Sequence, residues 1–275
     1  MTDPIIPNVR ILHQMARAGG TIMCKCLASM DGVVLLSEVH PRAVLLAQRI
    51  QPAAAEQFSP LRQARDWFGL IDASDETALR RRTGAVRFTD VIALIAERCA
   101  TRGETLVLRD WSHLDFTGAP YERNPPYRFR TVEALESRMP VTRCCTVRHP
   151  LDQWLSFRQL STLQEDYGVD NFLRGYRAFA EQAVELGFFR YEDFLGDTEA
   201  ILGGICQRLD LSHDPAWRER WHRYDKLTGD AGAIMESNEI APRPRRPVEA
   251  GLLGDLAANA DYRASIEMLG YEHPG

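Results

Sequence analysis

Lysine is almost missing from this sequence: Lys25 and Lys226 are the only two among 33 basic residues. Any site that needs a cation must therefore use arginine, a planar fork that is always charged. Cysteine is also scarce, six in 275 residues, and Cys24, Cys26, Cys99, Cys144, Cys145 and Cys206 form no CxxC pair. That excludes a disulfide scaffold and predicts reduced core thiols. No stretch approaches ~18 consecutive apolar residues, and the opening MTDPIIPNVRILHQ has no basic segment leading into an apolar one. Neither a membrane span nor a secretion signal is expected, and the cytoplasm is the expected compartment. A broad basic surface is lacking too: the formal charge is -5, which argues against nucleic acid as a partner.

What remains, 45% hydrophobic and 26% charged residues, is the composition of a soluble globular chain and not of a disordered, collagenous or coiled-coil one. A chain near this size buries roughly 75% of the surface its unfolded form exposes, so its core needs no staples or metal. VRILH (9–13) is a short apolar segment that runs through a small-residue loop, 14–20, into a helical pattern over 21–30. VVLL (33–36), TLVL (105–108), RCCTV (143–147) and 188–191 read as further strands. Between them lie helical patterns: 43–50 after Pro41, an apolar stripe over 88–102, then 150–163, 170–186 and 197–209, the last read as a crossover helix. Strands alternating with helices predict an α/β fold, an open parallel sheet of about five strands flanked by helices. The whole chain, 1–275, reads as one domain with helical insertions at about 51–85 and 117–140 and a C-terminal loop and helix over 228–275.

In an open parallel sheet, ligands bind beyond the carboxyl ends of the strands. Ala16-Arg17-Ala18-Gly19-Gly20-Thr21 sits at that end of the first strand. Backbone amides of Arg17, Ala18, Gly19, Gly20 and Thr21 and the start of the helix can converge on an anion there. The loop has no lysine and no glycine at its start, so the GxxxxGK[ST] phosphate loop is absent. A second constellation, Arg148-His149-Pro150-Leu151-Asp152-Gln153-Trp154-Leu155-Ser156, starts at the end of the fourth strand. Arginine at a strand end aims a bidentate fork at the cleft, and a serine about two turns into the next helix can face the same side.

These segments resemble the PAPS-dependent sulfotransferases. Residues 16–21 are similar to that family's PKSGTT or PRSGTT loop, which grips the 5'-phosphosulfate of 3'-phosphoadenosine-5'-phosphosulfate (PAPS). Two departures matter: Ala16 stands for the usual proline and Gly20 for the first threonine or serine, so the side-chain donor of residue 20 is lost. Residues 148–156 are similar to RNPRDxxxS, whose arginine and serine bind the 3'-phosphate, which implies that role for Arg148 and Ser156. Arg190-Tyr191-Glu192-Asp193-Phe194 resembles the YEDL or YEDM segment, which implies Tyr191 near the adenine. The family's basic C-terminal loop over the 3'-phosphate has one dense counterpart here, Arg243, Arg245 and Arg246.

The resemblance implies a P-loop-like sulfotransferase architecture, PAPS as donor, PAP as product and no metal. Sulfuryl transfer needs in-line geometry and charge at the leaving oxygen. Arg17, where many relatives carry lysine, is expected to stabilise the leaving phosphate as a charge, since it does not give up a proton. Two residues compete as base. His113, in WSHL, is similar to the THLP histidine of cytosolic sulfotransferases, and Glu38, in SEVH, to the EVH glutamate of heparan-type ones. Histidine titrates near neutral pH without help, which favours His113. His40 is a third choice, and Arg109 and Asp110 are expected to pair with each other. The acceptor is expected to be a small-molecule hydroxyl or amine, its pocket drawn from 51–85 and 117–130 with Trp67, Phe68, Tyr121 and Tyr127 as candidate walls. A kinase-like phosphotransferase and an inactive nucleotide-binding protein are the alternatives, and the sequence leaves the oligomeric state open.

Overall fold

Side chains on a strand alternate between faces, so a strand buried on both must be apolar at successive positions. β1 (Val9–Gln14) meets that condition: Ile11 and Leu12 are both fully buried and belong to opposite layers of core. The same split recurs at Leu35 and Leu36 of β2 (Val33–Val39), Val107 and Leu108 of β3 (Thr105–Asp110), and Cys144 and Cys145 of β4 (Val141–Val147). With the short β5 (Phe188–Arg190) these form one parallel sheet in the order β2-β3-β1-β4-β5. The computed structural model describes residues 7–83, 86–160, 163, 167–229 and 239–274.

Helices cover both faces. α1 (Gly20–Ala28) follows β1, and α2 (Ala43–Ile50), α3 (Pro60–Asp66) and α4 (Ala73–Thr83) follow β2. α5 (Phe88–Thr101) leads into β3, with the single turn α6 (His113–Phe116) and α7 (Arg130–Leu135) after it. α8 (Pro150–Phe157) and α9 (Val169–Leu186) follow β4; α10 (Tyr191–Gly196), α11 (Thr198–Leu209) and α12 (Trp217–Arg220) follow β5; α13 (Ala250–Ala258) and α14 (Ala260–Leu269) end the chain. Among the helices behind one face are α1 and α11, around Met23, Leu27 and Ile205. Against the other lie α5 and α9, around Ile95 and Phe179. All six cysteines are buried free thiols, as expected.

Several boundaries differ from the sequence reading. β2 and β3 run on past Leu36 and Leu108, because Ser37, Arg109 and Asp110 find buried polar partners that keep them in the sheet. Tyr191 is the first residue of α10 and not the last of β5. α8 stops at Phe157; of the expected extension to Leu163, residues 161–162 lie outside the described ones. α11 is no crossover helix, since β5 is the sheet's edge and no strand follows among the described residues. The final helical stretch is two helices, divided at Asn259, whose side chain caps the second.

Candidate functional site

A cleft of about 1000 Å³ opens beyond the carboxyl ends of the strands, its walls drawn from the loops after β1, β2, β3 and β4, from α10 and from residues 239–246. The β1–α1 loop forms its floor. Gly19 is the N-cap of α1 with φ of 79°, and no side chain caps the first turn. A helix start without caps leaves its N–H groups pointing at whatever lies in front of it. Two carbonyls of this loop are taken from behind: Ala16 O accepts from Gln153 Nε2 at 2.7 Å and Arg17 O from Arg148 Nη1 at 3.1 Å.

The same α8 segment brings the second constellation to the first. His149 caps α8 by accepting the Leu151 N–H, with Pro150 in the first turn. That sets Arg148 at the cleft edge, its guanidinium 5.3 Å from the centre of the Tyr191 ring. Ser156, two turns on, accepts from Arg17 Nε at 3.1 Å. Tyr191 lies on the loop so closely that a Cβ at Gly19 would collide with its ring carbons. Arg17, Gly19, Arg148, Ser156 and Tyr191 thus meet in one place. Burial, and then the charges of Arg246 and Arg148, push the Arg17 guanidinium below its ordinary value. Crowding like charges in a half-buried place is unfavourable unless an anion joins them, so the donor set suits a phosphate.

The C-terminal arginines divide their work. Arg245 grips the Asp152 carboxylate through Nε and Nη2, at 2.8 and 2.9 Å, and Arg246 donates to Leu155 O at 3.2 Å. The segment is strapped to α8 by these contacts; Arg245 spends its fork on a carboxylate. Arg243 stands near enough to Tyr191 for its charge to act on the phenol. Residues 230–238 of the expected loop lie outside the described ones.

At the opposite end stand Glu38 and Arg109. Arg109 donates to Thr21 Oγ1 at 3.1 Å, to Ser37 Oγ at 3.2 Å and to Thr228 O at 3.2 Å, and Glu38 Oε1 lies 3.8 Å away. Glu38 has φ of 52°, left-handed for a residue with a side chain, where β2 shifts its register against β3. Such strain is tolerated where the surroundings over-determine it. The expected Arg109–Asp110 pair does not form: Asp110 is fully buried with His13 Nδ1 at 2.8 Å and the Ser112 and Thr131 hydroxyls at 2.6 Å.

His113 lines the cleft too, edge-on to Trp111 at 5.3 Å. It does not titrate near neutral pH. Burial first, then the charges of Arg109 and His40, push it down to about 3. His40 faces Asp115 at 3.2 Å and accepts the Arg42 N–H, so both of its nitrogens are engaged in structure. Beside His113, Phe58 stacks on Trp111 at 4.4 Å and Tyr121 meets Trp111 edge-on at 5.4 Å, an aromatic wall. Of the four aromatics expected there, Tyr121 alone lines this cleft; Tyr127 is exposed and Phe68 packs under Lys226. The sequence reading missed Phe58, Trp111, Arg109 and Gln14. Gln14 had a readable signal: a carboxamide directly after the apolar VRILH run, at the start of the glycine-containing loop.

The sulfotransferase domain of the Synechococcus PCC 7002 olefin synthase superposes on this structure with a TM-score of 0.70, covering 97% of this chain and 96% of that one at 17% identity. This chain has the sulfotransferase fold. The sulfotransferase domain from the curacin biosynthetic pathway gives a TM-score of 0.63 over 98% and 99% of the two chains at 15% identity. Comparison of the sequence with protein-family models and with curated proteins gives no match. Within the sulfotransferase fold no helix among the described residues is long and apolar enough to cross a membrane, and no cluster of three or more His, Cys, Asp or Glu among them is placed to hold a metal ion.

Proposed function

We propose that this protein is a sulfotransferase that moves a sulfuryl group from PAPS to a hydroxyl or amine of a small-molecule acceptor in the cytoplasm. One observation carries the proposal: Arg17 and Ser156, 139 residues apart, are hydrogen-bonded beside Arg148, directly in front of an uncapped helix start. Arg148 and Ser156 are read as the partners of the 3'-phosphate and the loop amides as those of the 5'-phosphate, the two anionic groups of an adenosine bisphosphate. PAPS, when bound, supplies the sulfuryl group and a bisphosphate that leaves with one more charge.

The residues then have distinct tasks. Amides of Gly19, Gly20 and Thr21 hold the 5' end, the Ala18 N–H being given to Met15 O within the loop, and Arg17 sets a permanent charge against the one that builds on the leaving oxygen. Arg243 and Arg246 add charge over the 3' end, while Arg245 holds their segment down through Asp152. Tyr191 presents a ring to the adenine. For the acceptor proton, Glu38 is the better placed base: it lies on the cleft beside Arg109, whereas a histidine pushed down to about 3 is neutral but a weak proton acceptor. His113 instead lends its imidazole as a hydrogen-bond partner to the acceptor, against the wall of Phe58, Trp111 and Tyr121.

Thermal denaturation with PAP, without magnesium, tests the reading: PAP at micromolar concentration should raise the midpoint by mass action, while ATP should do so poorly. Stabilisation by ATP with magnesium and not by PAP would replace this function with phosphotransfer. Transfer of label from PAPS to a panel of phenols, alcohols and amines then distinguishes an enzyme from an inactive nucleotide-binding protein.

A further inference from the structure

Gly20 has no conformational reason to be glycine. Unlike Gly19 it does not adopt a left-handed φ, and it is the first residue of α1, where serine and threonine are ordinary. The reason is volume: a Cβ added at Gly20 would fall inside the side-chain carboxamide of Gln14. Gln14 is the last residue of β1 and is 4% exposed. Its backbone N–H is held by Ser112 Oγ at 3.2 Å, and its side chain borders the cleft next to Arg17 and Thr21. Its Oε1 is buried and has no hydrogen-bond partner among the described residues. Leaving a buried amide unsatisfied is unfavourable, and the two ends of a carboxamide exchange by a half-turn about its last bond. Turned in that way, the position now held by the unpartnered oxygen carries an N–H donor, which is what a phosphate in front of this loop accepts from.

We propose that Gln14 supplies, through its side-chain N–H, the phosphate donor that residue 20 lacks. Relative to the PKSGTT pattern the hydroxyl of residue 20 is gone, and the space it would fill holds a carboxamide that arrives from the strand six residues earlier. Gln14 therefore binds the 5'-phosphate end of the nucleotide, and Gly20 is glycine to admit it. This inference rests on the proposed nucleotide function and adds to it one specific contact. It also accounts for why Gly20 and Gln14 belong together in this chain: each is fitted to the other.

Calorimetric binding of PAP and of adenosine 3'-phosphate, which lacks the 5'-phosphate, tests it on the full chain. Gln14→Ala should weaken PAP about tenfold to a hundredfold, the worth of one hydrogen bond to a charged group, and leave adenosine 3'-phosphate within about twofold. Gly20→Ser alone collides with Gln14 and should also weaken PAP. In the double variant the cavity left by Gln14→Ala receives the serine, and PAP affinity should recover most of the loss. Unchanged PAP binding by Gln14→Ala, an equal loss for both ligands, or a double variant no better than Gln14→Ala would each overturn the Gln14 assignment while leaving the nucleotide site in place. Wild-type protein that binds neither ligand would overturn the nucleotide function itself, and this contact with it.

Discussion

Acidification should destabilise the wild-type protein more than a His113→Gln variant. In the folded chain His113 is buried, and its ionisation is pushed from 6.5 down to about 3, by burial first and then by Arg109 and His40. In the unfolded chain the ordinary value returns. Between pH 6.5 and 3 the unfolded state therefore holds a proton that the fold excludes, so stability is complete above that window and falls as the pH falls through it. Each pH unit inside the window costs about 1.4 kcal/mol, so about two units below 6.5 the histidine alone removes about 3 kcal/mol. Glutamine retains a planar polar group and binds no proton. Urea denaturation of both proteins at neutral pH and at pH 4.5 measures the two losses. The wild-type loss should exceed the variant's by about 2–3 kcal/mol; equal losses would show that His113 is not held neutral by the fold. The same burial means that an acid limb near pH 6.5 in the rate of transfer, if one is measured, should survive His113→Gln unchanged.

Three more outcomes follow from the cleft. Arg148→Ala should weaken PAP about tenfold or more, the worth of a charge-assisted contact, yet leave ADP, which has no 3'-phosphate, nearly unaffected in parallel titrations. Gly19→Ala must hold an alanine at φ of 79° beneath the Tyr191 ring; the left-handed strain alone costs about 1–2 kcal/mol, so the melting temperature should drop and PAP binding should be lost, with Gly69→Ala, left-handed in open space, showing the strain without the binding defect. Arg245→Ala releases the strap from Asp152 and leaves that carboxylate facing the nucleotide, so stopped-flow release of a fluorescent PAP analogue should become several-fold faster; an unchanged rate would mean the strap does not close the site.

Those features of the cleft that depend on neighbours in the chain were readable before any fold was known. An apolar run followed by Ala16 to Thr21 announces a strand, a loop and a helix, and RCCTV followed by Arg148, His149 and Pro150 announces a strand end and a helix start, because the turn chemistry is local. The parallel sheet and its five strands follow from the same patterns. What depends on distant partners was hidden. Arg109 and Asp110 look like the end of a strand because they are charged, yet Ser37, Thr228 and Thr131 take up their hydrogen bonds and β3 continues through them. His113 looks like an ordinary histidine until the fold encloses it. Arg245 looks like one of three equivalent arginines until Asp152, 93 residues earlier, arrives beside it.

The order of the strands bears on how the molecule is made. β1, synthesised first, ends up in the middle of the sheet, and its partners β3 and β4 leave the ribosome much later. A nascent chain that stops near residue 140 has one flank of β1 bare and a loop with none of Gln153, Arg148 or Ser156 behind it. The hollow at the head of the sheet is therefore assembled late in translation. Until then the first strand has an open edge, the kind of segment chaperones shield.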